Sequence, residues 1–174
     1  IIKIDKPNIL IAGCGTGRQS IETAAKFKQS QILAIDLSLS SLAYAKRKTE
    51  EFGFKNVEYI QGDLLNVANF DKKFDIIESV GVLHHMQNPV EGWKVLTESL
   101  NHAGLMRIGL YSEIARENII KVREEIAELN IETSENAIKS FRNMIFKSDK
   151  NHHKQILEWT DFFSLSETRD LLFH

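Results

Sequence analysis

The chain has 174 residues, of which 43% are hydrophobic and 26% charged, and its formal net charge at pH 7 is −2. This size and hydrophobic content suit one domain with a sizeable core. The nearly balanced charge gives no overall attraction to a nucleic-acid duplex or an anionic membrane, so neither partner is indicated. Every apolar run is much shorter than the ~20 residues that span a bilayer.

Cysteine usage and the chain ends bear on location. Cys14 is the single cysteine, so no internal disulfide forms, and no CxxC or suitably spaced histidine accompanies it. This composition predicts a reducing, cytoplasmic setting. The first residues lack the basic region and cleavage site of a signal peptide. Because the sequence has no initiator Met and stops at LLFH, we expect it to be a fragment of a longer polypeptide.

Five short runs rich in Ile, Val and Leu predict β-strands. They are ILIAGC at 9–14, QILAIDL at 31–37, VEYIQGD at 57–63, FDIIESV at 74–80 and LMRIGLY at 105–111. The segments between these runs have apolar residues at helical spacing, and the evidence for a helix is weakest at 64–71. Ser40 and the pair Asn88–Pro89 are helix-start signals. Strands that are nearly continuously apolar and alternate with helices predict a doubly wound, mostly parallel α/β sheet.

Two of these predicted helices have an expected buried face. The first is formed by Leu42, Ala45, Thr49 and Phe52, and the second by Val90, Trp93, Thr97 and Leu100. Residues at this spacing share one side of a helix, so we expect them to face the sheet.

The first predicted strand runs into Gly13-Cys14-Gly15-Thr16-Gly17, which leads into a predicted helix. Glycine permits a tight turn and the close approach of a ligand to main-chain N–H groups, and a helix start favours a negative group. Open α/β sheets bind ligands at this edge. The pattern therefore predicts a nucleotide-like ligand, with a turn that serves packing alone as the alternative.

Acidic residues end the next two strands. Asp36 ends the second strand, where a carboxylate can accept hydrogen bonds from both hydroxyls of a ribose. A capping or turn aspartate is the alternative there. Asp63 ends the third strand, where it can accept a hydrogen bond from the exocyclic amine of adenine. An ordinary turn after Gly62 explains Asp63 equally well.

The sequence of the glycine turn also helps to distinguish between classes of nucleotide-binding protein. A nicotinamide-binding turn follows GxGxxG, but here Arg18 occupies the sixth position and the third glycine comes one residue early. The sequence shows no Tyr-x-x-x-Lys pair for hydride transfer and no Walker Lys-Ser or Lys-Thr after the glycines. A nicotinamide oxidoreductase is therefore the weaker alternative.

Four segments, in this order, resemble the motifs of the class I S-adenosylmethionine-dependent methyltransferases, which have a Rossmann-like fold: ILIAGCGTG, IDLS, QGDLL and FDIIESVGVLHHM. LMRIGLY is similar to the family's fifth strand, and the resemblance covers about two thirds of the chain. It implies S-adenosylmethionine as cofactor and methyl transfer as activity. The implied cofactor-binding residues are Gly13, Cys14, Gly15, Gly17, Asp36, Leu37, Asp63, Leu64, Ser79 and Val80.

One position departs from the family. Many members carry an acidic residue two before the first glycine, where this chain has Ile11. The departure leaves open how the ammonium group of the methionine portion is held, but it does not affect the predicted fold.

No conspicuous catalytic set is visible. The cofactor brings an activated methyl group, so the protein mainly orients the acceptor. His84 and His85 are the nearest candidates for a base and are kept as substrate-pocket residues only, because capping or packing explains such a pair better. The acceptor, a small molecule or a protein, stays unidentified. Nucleic acid is not favoured, because no segment typical of base methylation is present.

Beyond residue 112 the pattern becomes helical. Ala115, Ile119, Val122, Ile126 and Leu129 share one face of a predicted helix that we expect to pack on the sheet. A further helix is predicted after Ser134, and a shorter one is predicted to follow the SLSETRD segment. We therefore expect a cofactor-binding core at 1–112 and, at 113–174, a helical extension packed on or beside the same domain.

The last segment also supports two negative expectations. Its basic residues, Arg142, Lys147, Lys150, His152, His153 and Lys154, indicate a solvated face. We expect no metal there, because adjacent histidines rarely share an ion without further ligands. No alternating segment follows the fifth strand, so we expect an incomplete sheet. The edge of the fifth strand is then unpaired unless the helices cover it or a second copy docks there.

Three functions stay open at this point: a methyltransferase, a non-catalytic S-adenosylmethionine-binding domain of a larger interaction protein, and, least favoured, an NAD-dependent oxidoreductase. We expect further domains in the parent chain.

Overall fold

Two structural units make up the part of the chain that the computed structural model describes, residues 4–112 and 114–173. The division falls between Ile1–Leu110 and Tyr111–His174. The first unit contains every strand of the sheet, and the second is helical.

The first unit is built on a five-stranded parallel sheet. Its strands are β1 (Asn8–Ala12), β2 (Gln31–Asp36), β3 (Val57–Gln61), β4 (Phe74–Val80) and β5 (Leu100–Gly109). The order across the sheet is β3-β2-β1-β4-β5, and each neighbouring pair is parallel. The prediction of a doubly wound parallel sheet is confirmed. The order reverses between β1 and β4, and such a switch point opens a crevice at the carboxyl ends of the strands.

Helices cover both faces of the sheet. They are α1 (Arg18–Lys26), α2 (Leu39–Glu51) and α3 (Pro89–Glu98), with 3-10 turns at Leu64–Asn69 and Leu83–His85. Side chains of α1 and α2 share a core with one face of β1 and β2, whereas α3 and the 3-10 turns share a core with the other face. β1 and β2 are therefore buried on both sides, which explains why they are nearly continuously apolar.

The caps show how the sequence sets the helix starts. Asn88 accepts a hydrogen bond from the Glu91 amide at the start of α3, as its pairing with Pro89 predicts. The predicted cap of α2 is wrong, because Ser38 rather than Ser40 accepts the hydrogen bond from the Ser41 amide.

The expected buried faces are only partly correct. In α2, Leu42, Ala45 and Thr49 are buried as predicted, but Phe52 is exposed. In α3, Gly92 and Leu96 are the buried residues, and Val90 is 74% exposed. A side chain at position 92 would lie 2.6 Å from the Met86 sulfur, so the glycine permits a close approach on that side of α3. The spacing of apolar residues does not reveal this close approach, so it could not predict which face of α3 is buried.

β5 begins earlier than predicted. It starts at Leu100, which the pattern placed on a helix, rather than at Leu105. The register with β4 shifts between Phe74 and Ile76, and Ala103 adopts a φ of 63°. These irregularities break the two-residue alternation by which a strand is recognised.

The second unit has its own core. Its helices are α4 (Glu117–Glu128), α5 (Glu135–Phe146), α6 (Asn151–Ile156) and α7 (Leu165–Leu172), with a 3-10 turn at Thr160–Phe163. Ile119, Val122 and Ile126 of α4 are buried as predicted, but they lie in a cluster made by residues of this unit. The expectation that this face packs on the sheet is therefore replaced by a separate helical core. No helix in the described part of the chain is both long and apolar enough to cross a membrane.

Candidate functional site

The glycine turn occupies the crevice at the carboxyl ends of β1 and β4. Gly13, Gly15 and Gly17 have φ values of 79°, 51° and 85°. The amides of Gly13 and Cys14 both donate to the Ile35 carbonyl of β2, at 2.8 and 3.0 Å. A Cβ at position 13 would lie 2.2 Å from Val82 Cγ2. The turn is thus fixed to the neighbouring strand and packed closely on the loop after β4.

Asp36 joins the end of β2 to the glycine turn. Its Oδ2 accepts a hydrogen bond from the Gly15 amide at 2.7 Å, and its Oδ1 accepts one from the Ser38 amide at 2.9 Å. Each carboxylate oxygen has a second lone pair that can accept from a hydroxyl group. The side chain therefore orders the turn and can still bind a diol.

Asp63 lies at the end of β3. Its Oδ1 accepts a hydrogen bond from the Leu65 amide at 2.9 Å, which caps the 3-10 turn that follows. The structure thus gives Asp63 the turn role that the sequence offered as an alternative. Asp63 also lines a cavity, described next.

Among the described residues, Gly13 lines two cavities that adjoin the turn. The smaller, of about 340 Å³, is also lined by the predicted residues Asp36, Leu37, Asp63, Leu64 and His85. The larger, of about 500 Å³, is also lined by Cys14, Gly15 and Val80, and by the polar side chains of Gln19 and Arg107. The site thus has two compartments that share Gly13. One has two carboxylates and apolar walls, and the other is more polar.

A comparison with protein families identifies the domain. Residues 5–163 match the model described as a methyltransferase domain. The chain belongs to this family. S-adenosylmethionine is the cofactor of the family, as the resemblance implied.

Three relatives show the range of similarity. An uncharacterized protein from Synechococcus sp. is 37% identical over 128 residues, which are 73% of this chain and 31% of that protein. The malonyl-[acyl-carrier protein] O-methyltransferase of Halalkalibacterium halodurans is 33% identical over 106 residues, 59% of this chain and 38% of that enzyme. The structure of PKMT2 from Rickettsia typhi in complex with AdoHcy has a TM-score of 0.75 at 22% identity and covers 93% of this chain and 34% of that one. The chain thus spans about a third of the length of these relatives.

Two residues that the resemblance assigned to the methyltransferase cofactor site line neither cavity. Gly17 is the N-cap residue just before α1, and a Cβ there would lie 2.5 Å from Ala45 Cβ of α2, so the structure gives it a role in helix packing. Ser79 is fully buried, and its hydroxyl has no hydrogen-bond partner among the described residues. Cofactor contact by these two residues stays a prediction.

The two histidines differ in position. His85 lines the smaller cavity, and His84 does not. Their Nε2 atoms are 3.0 Å apart, so one ring donates a hydrogen bond to the other. Of the two substrate-pocket candidates, the structure brings His85 to the site of the methyltransferase domain, with His84 as its hydrogen-bonded neighbour.

Cys14 is a packing residue as well as part of the turn. Burial, with the nearby Asp36 carboxylate as a second cause, raises the pKa of its thiol from 9.0 to about 12. The thiol is protonated at neutral pH, so it does not act as a nucleophile.

The sequence reasoning missed the cavity-lining residues Gln19 and Arg107, and it also missed Glu78, which contacts Gln19. Glu78 lies beside Ile11 in the register of β1 and β4, and its Oε2 accepts hydrogen bonds from Gln19 Nε2 at 2.5 Å and from Thr23 Oγ1 at 3.2 Å. Gln19 in turn lines the larger cavity. A carboxylate is therefore present next to the position where the family's acidic residue is absent. The signal in the sequence was a charged residue within the apolar strand FDIIESV.

Proposed function

We propose that this methyltransferase domain binds S-adenosylmethionine across the two cavities and takes part in the transfer of its methyl group. The observation that carries the proposal is the pair of cavities that meet at Gly13, one bounded by Asp36 and Asp63 and the other by polar side chains. The adenosine portion fits the first compartment, and the zwitterionic methionine portion fits the second.

Each group in the chain then has a defined task. Asp36 holds the ribose hydroxyls while it keeps the Gly15 amide in place. Asp63 accepts from the adenine amine through the oxygen that does not cap the turn. Glu78 supplies negative charge to the ammonium group through Gln19. When bound, the cofactor supplies a methyl group activated by its sulfonium centre.

The acceptor side is less defined. We propose a small molecule or a protein as acceptor, with His85 as the nearest group to receive a proton if the acceptor must lose one. The near-neutral charge of the chain does not favour nucleic acid. Orientation of the acceptor, rather than a dedicated catalytic set, supplies most of the rate enhancement.

A calorimetric titration tests the cofactor. We expect S-adenosylmethionine and S-adenosylhomocysteine to bind and NAD not to bind. Replacing Asp36 with Asn removes the charge that accepts the ribose hydrogen bonds and weakens binding about 10–100-fold, since a hydrogen bond to a charged group contributes ~1.5–3 kcal/mol. Asp71→Asn is the matched control, because Asp71 is exposed and lines neither cavity. Binding of NAD alone contradicts the proposal and favours the oxidoreductase.

Methyl transfer is measured on the full-length protein, because this chain spans about a third of its relatives. Labelled cofactor is incubated with pools of small molecules and proteins. Label in an acceptor supports catalysis, whereas tight binding without transfer to any pool favours the non-catalytic binding domain.

Location and assembly are further proposals. The single cysteine, Cys14, is an unoxidised buried thiol, which suits a cytoplasmic location. Within the described residues β5 pairs only with β4, so its outer edge has no strand partner, and we propose that a second copy of the chain docks along it. Fractionation of cells and sedimentation of the purified full-length protein, in which further domains are expected, test these two points.

A further inference from the structure

A cluster of three side chains lies in the second unit, apart from the residues of the methyltransferase site. Glu125 of α4 lies against two adjacent histidines of α6. His152 Nε2 is 2.6 Å from Glu125 Oε1, and His153 Nε2 is 2.8 Å from Glu125 Oε2. One ligand atom from each residue lies within 4.8 Å of the other two.

The tertiary structure supplies what the sequence lacked. Adjacent residues of a helix point about 100° apart, so two neighbouring histidines seldom face one ion. Here the carboxylate of Glu125 lies between the two rings and draws both Nε2 atoms to the same place. His153 is only 1% exposed and Glu125 only 16%, so packing holds both side chains in position. The third ligand comes from a residue 27 positions before His152, too distant for spacing rules to detect.

We propose that Glu125, His152 and His153 bind a Zn²⁺ ion that links α4 to α6. Two imidazole nitrogens and one carboxylate oxygen are a ligand set that zinc uses, at about 2.0–2.2 Å, with water in the fourth position. Each ring then presents its Nε2 lone pair to the ion. In a neutral ring the proton moves from Nε2 to Nδ1, whereas a ring protonated on both nitrogens releases its Nε2 proton to solvent, so the ligand is a neutral imidazole in both cases. When the ion binds, the Nε2 atoms and the Glu125 oxygens that now form hydrogen bonds move slightly apart, to the distance between two ligands of the same metal ion.

Lys150 is the group that competes with the ion. Its ammonium lies 2.9 Å from Glu125 Oε1, and its side chain is 56% exposed. An exposed lysine can turn into water at little cost, because an exposed ion pair contributes only ~0–1 kcal/mol. Lys150 therefore weakens metal binding without preventing it, and this effect provides a test.

The experiment uses the whole chain, stripped of metal with a chelator and then dialysed. Co²⁺, which takes the geometry of zinc and absorbs visible light, is added first, and Zn²⁺ is then used to displace it. We expect one equivalent of Co²⁺ with the ligand-field spectrum of a four-coordinate site, its displacement by Zn²⁺, and a higher melting temperature with Zn²⁺ than with chelator.

Four variants distinguish a metal-binding site from a set of hydrogen bonds. Glu125→Gln removes a ligand and should weaken Zn²⁺ binding by more than the ~10–100-fold that loss of a supporting residue costs. Glu124→Gln is the matched control, the same change one residue away at an exposed position. Lys150→Ala should strengthen binding, which a purely structural ion pair would not do. Circular dichroism checks the fold, and His152→Asn, at a position 21% exposed, is the second ligand variant if Glu125→Gln unfolds.

The proposal is overturned if no visible Co²⁺ spectrum develops. It is also overturned if the Glu124 and Glu125 variants bind Zn²⁺ equally, or if Lys150→Ala leaves the affinity unchanged while His152→Asn binds like the unmodified chain.

Discussion

Three glycines of one turn have different surroundings and serve two purposes, cavity lining and helix packing. All have positive φ, which L-residues with a side chain adopt at a cost. Their surroundings differ, because a Cβ would meet Val82 at Gly13 and Ala45 at Gly17, but would have no atom within 4 Å at Gly15. The spacing GxGxG therefore indicates a positive φ at all three glycines, but only Gly13 and Gly15 line the cavities.

The role of Gly17 in packing leads to a stability prediction. Gly17→Ala should lose about 2–5 kcal/mol of unfolding free energy, since the left-handed backbone costs ~1–2 kcal/mol and overpacking adds ~1–3 kcal/mol. Gly53→Ala is the control, because Gly53 has a φ of 77° but open space around it. It should lose only the backbone contribution. Urea denaturation measures both variants, and equal losses would show that the contact with α2 is unimportant.

At the scale of elements, Glu78 connects β4 to α1. A single carboxylate oxygen receives hydrogen bonds from Gln19 and Thr23, two residues of α1, while Ile11 of the neighbouring strand β1 is fully buried. The acidic group that the family often places on β1 is thus absent, and a carboxylate stands one strand away.

A charge-neutral variant tests that role. Glu78→Gln keeps the size of the side chain but removes its charge, so we expect the affinity for S-adenosylmethionine to fall roughly 10-fold, equal to ~1.4 kcal/mol. Calorimetry provides the measurement. Glu58→Gln, at an exposed position of β3, is the control and should bind normally. An unchanged affinity in Glu78→Gln would mean that its contact with α1 is purely structural.

The helices also show where local patterns lose their predictive value. Asn88 and Pro89 set the start of α3 as expected because a cap acts within one turn. The buried face of the same helix was wrong, because it depends on Gly92 approaching Met86 through the packed loop after β4. α6 was not predicted, since its six residues are too few to display a period.

At the scale of the whole molecule, the chain has a layered sheet core and a separate helical core. The sheet unit has hydrophobic clusters on both faces, and the helical unit has its own cluster from Ile119 to Leu172. The composition suggested one core because it counts apolar residues without showing which of them meet.

Cofactor binding should stabilise the sheet unit by mass action. With S-adenosylmethionine at about 100 times its Kd, the unfolding free energy should rise by ~2.7 kcal/mol. Hydrogen exchange should slow in the loops at 13–16, 36–37 and 62–65, which line the two cavities. NAD at the same concentration is the control. Equal protection by NAD, or protection confined to other segments, would contradict the placement of the site.

By itself the sequence determined the sheet class, the strand order along the chain, and the glycine turn with Asp36 and Asp63, because these depend on period, spacing and backbone freedom within a few residues. Only the tertiary structure decided which residues meet across strands and helices. Glu78 lies next to Ile11 through strand register, Gly17 packs on Ala45 rather than lining a cavity, and Glu125 joins two histidines from another helix. Such contacts join residues that are distant along the chain, so no local pattern records them.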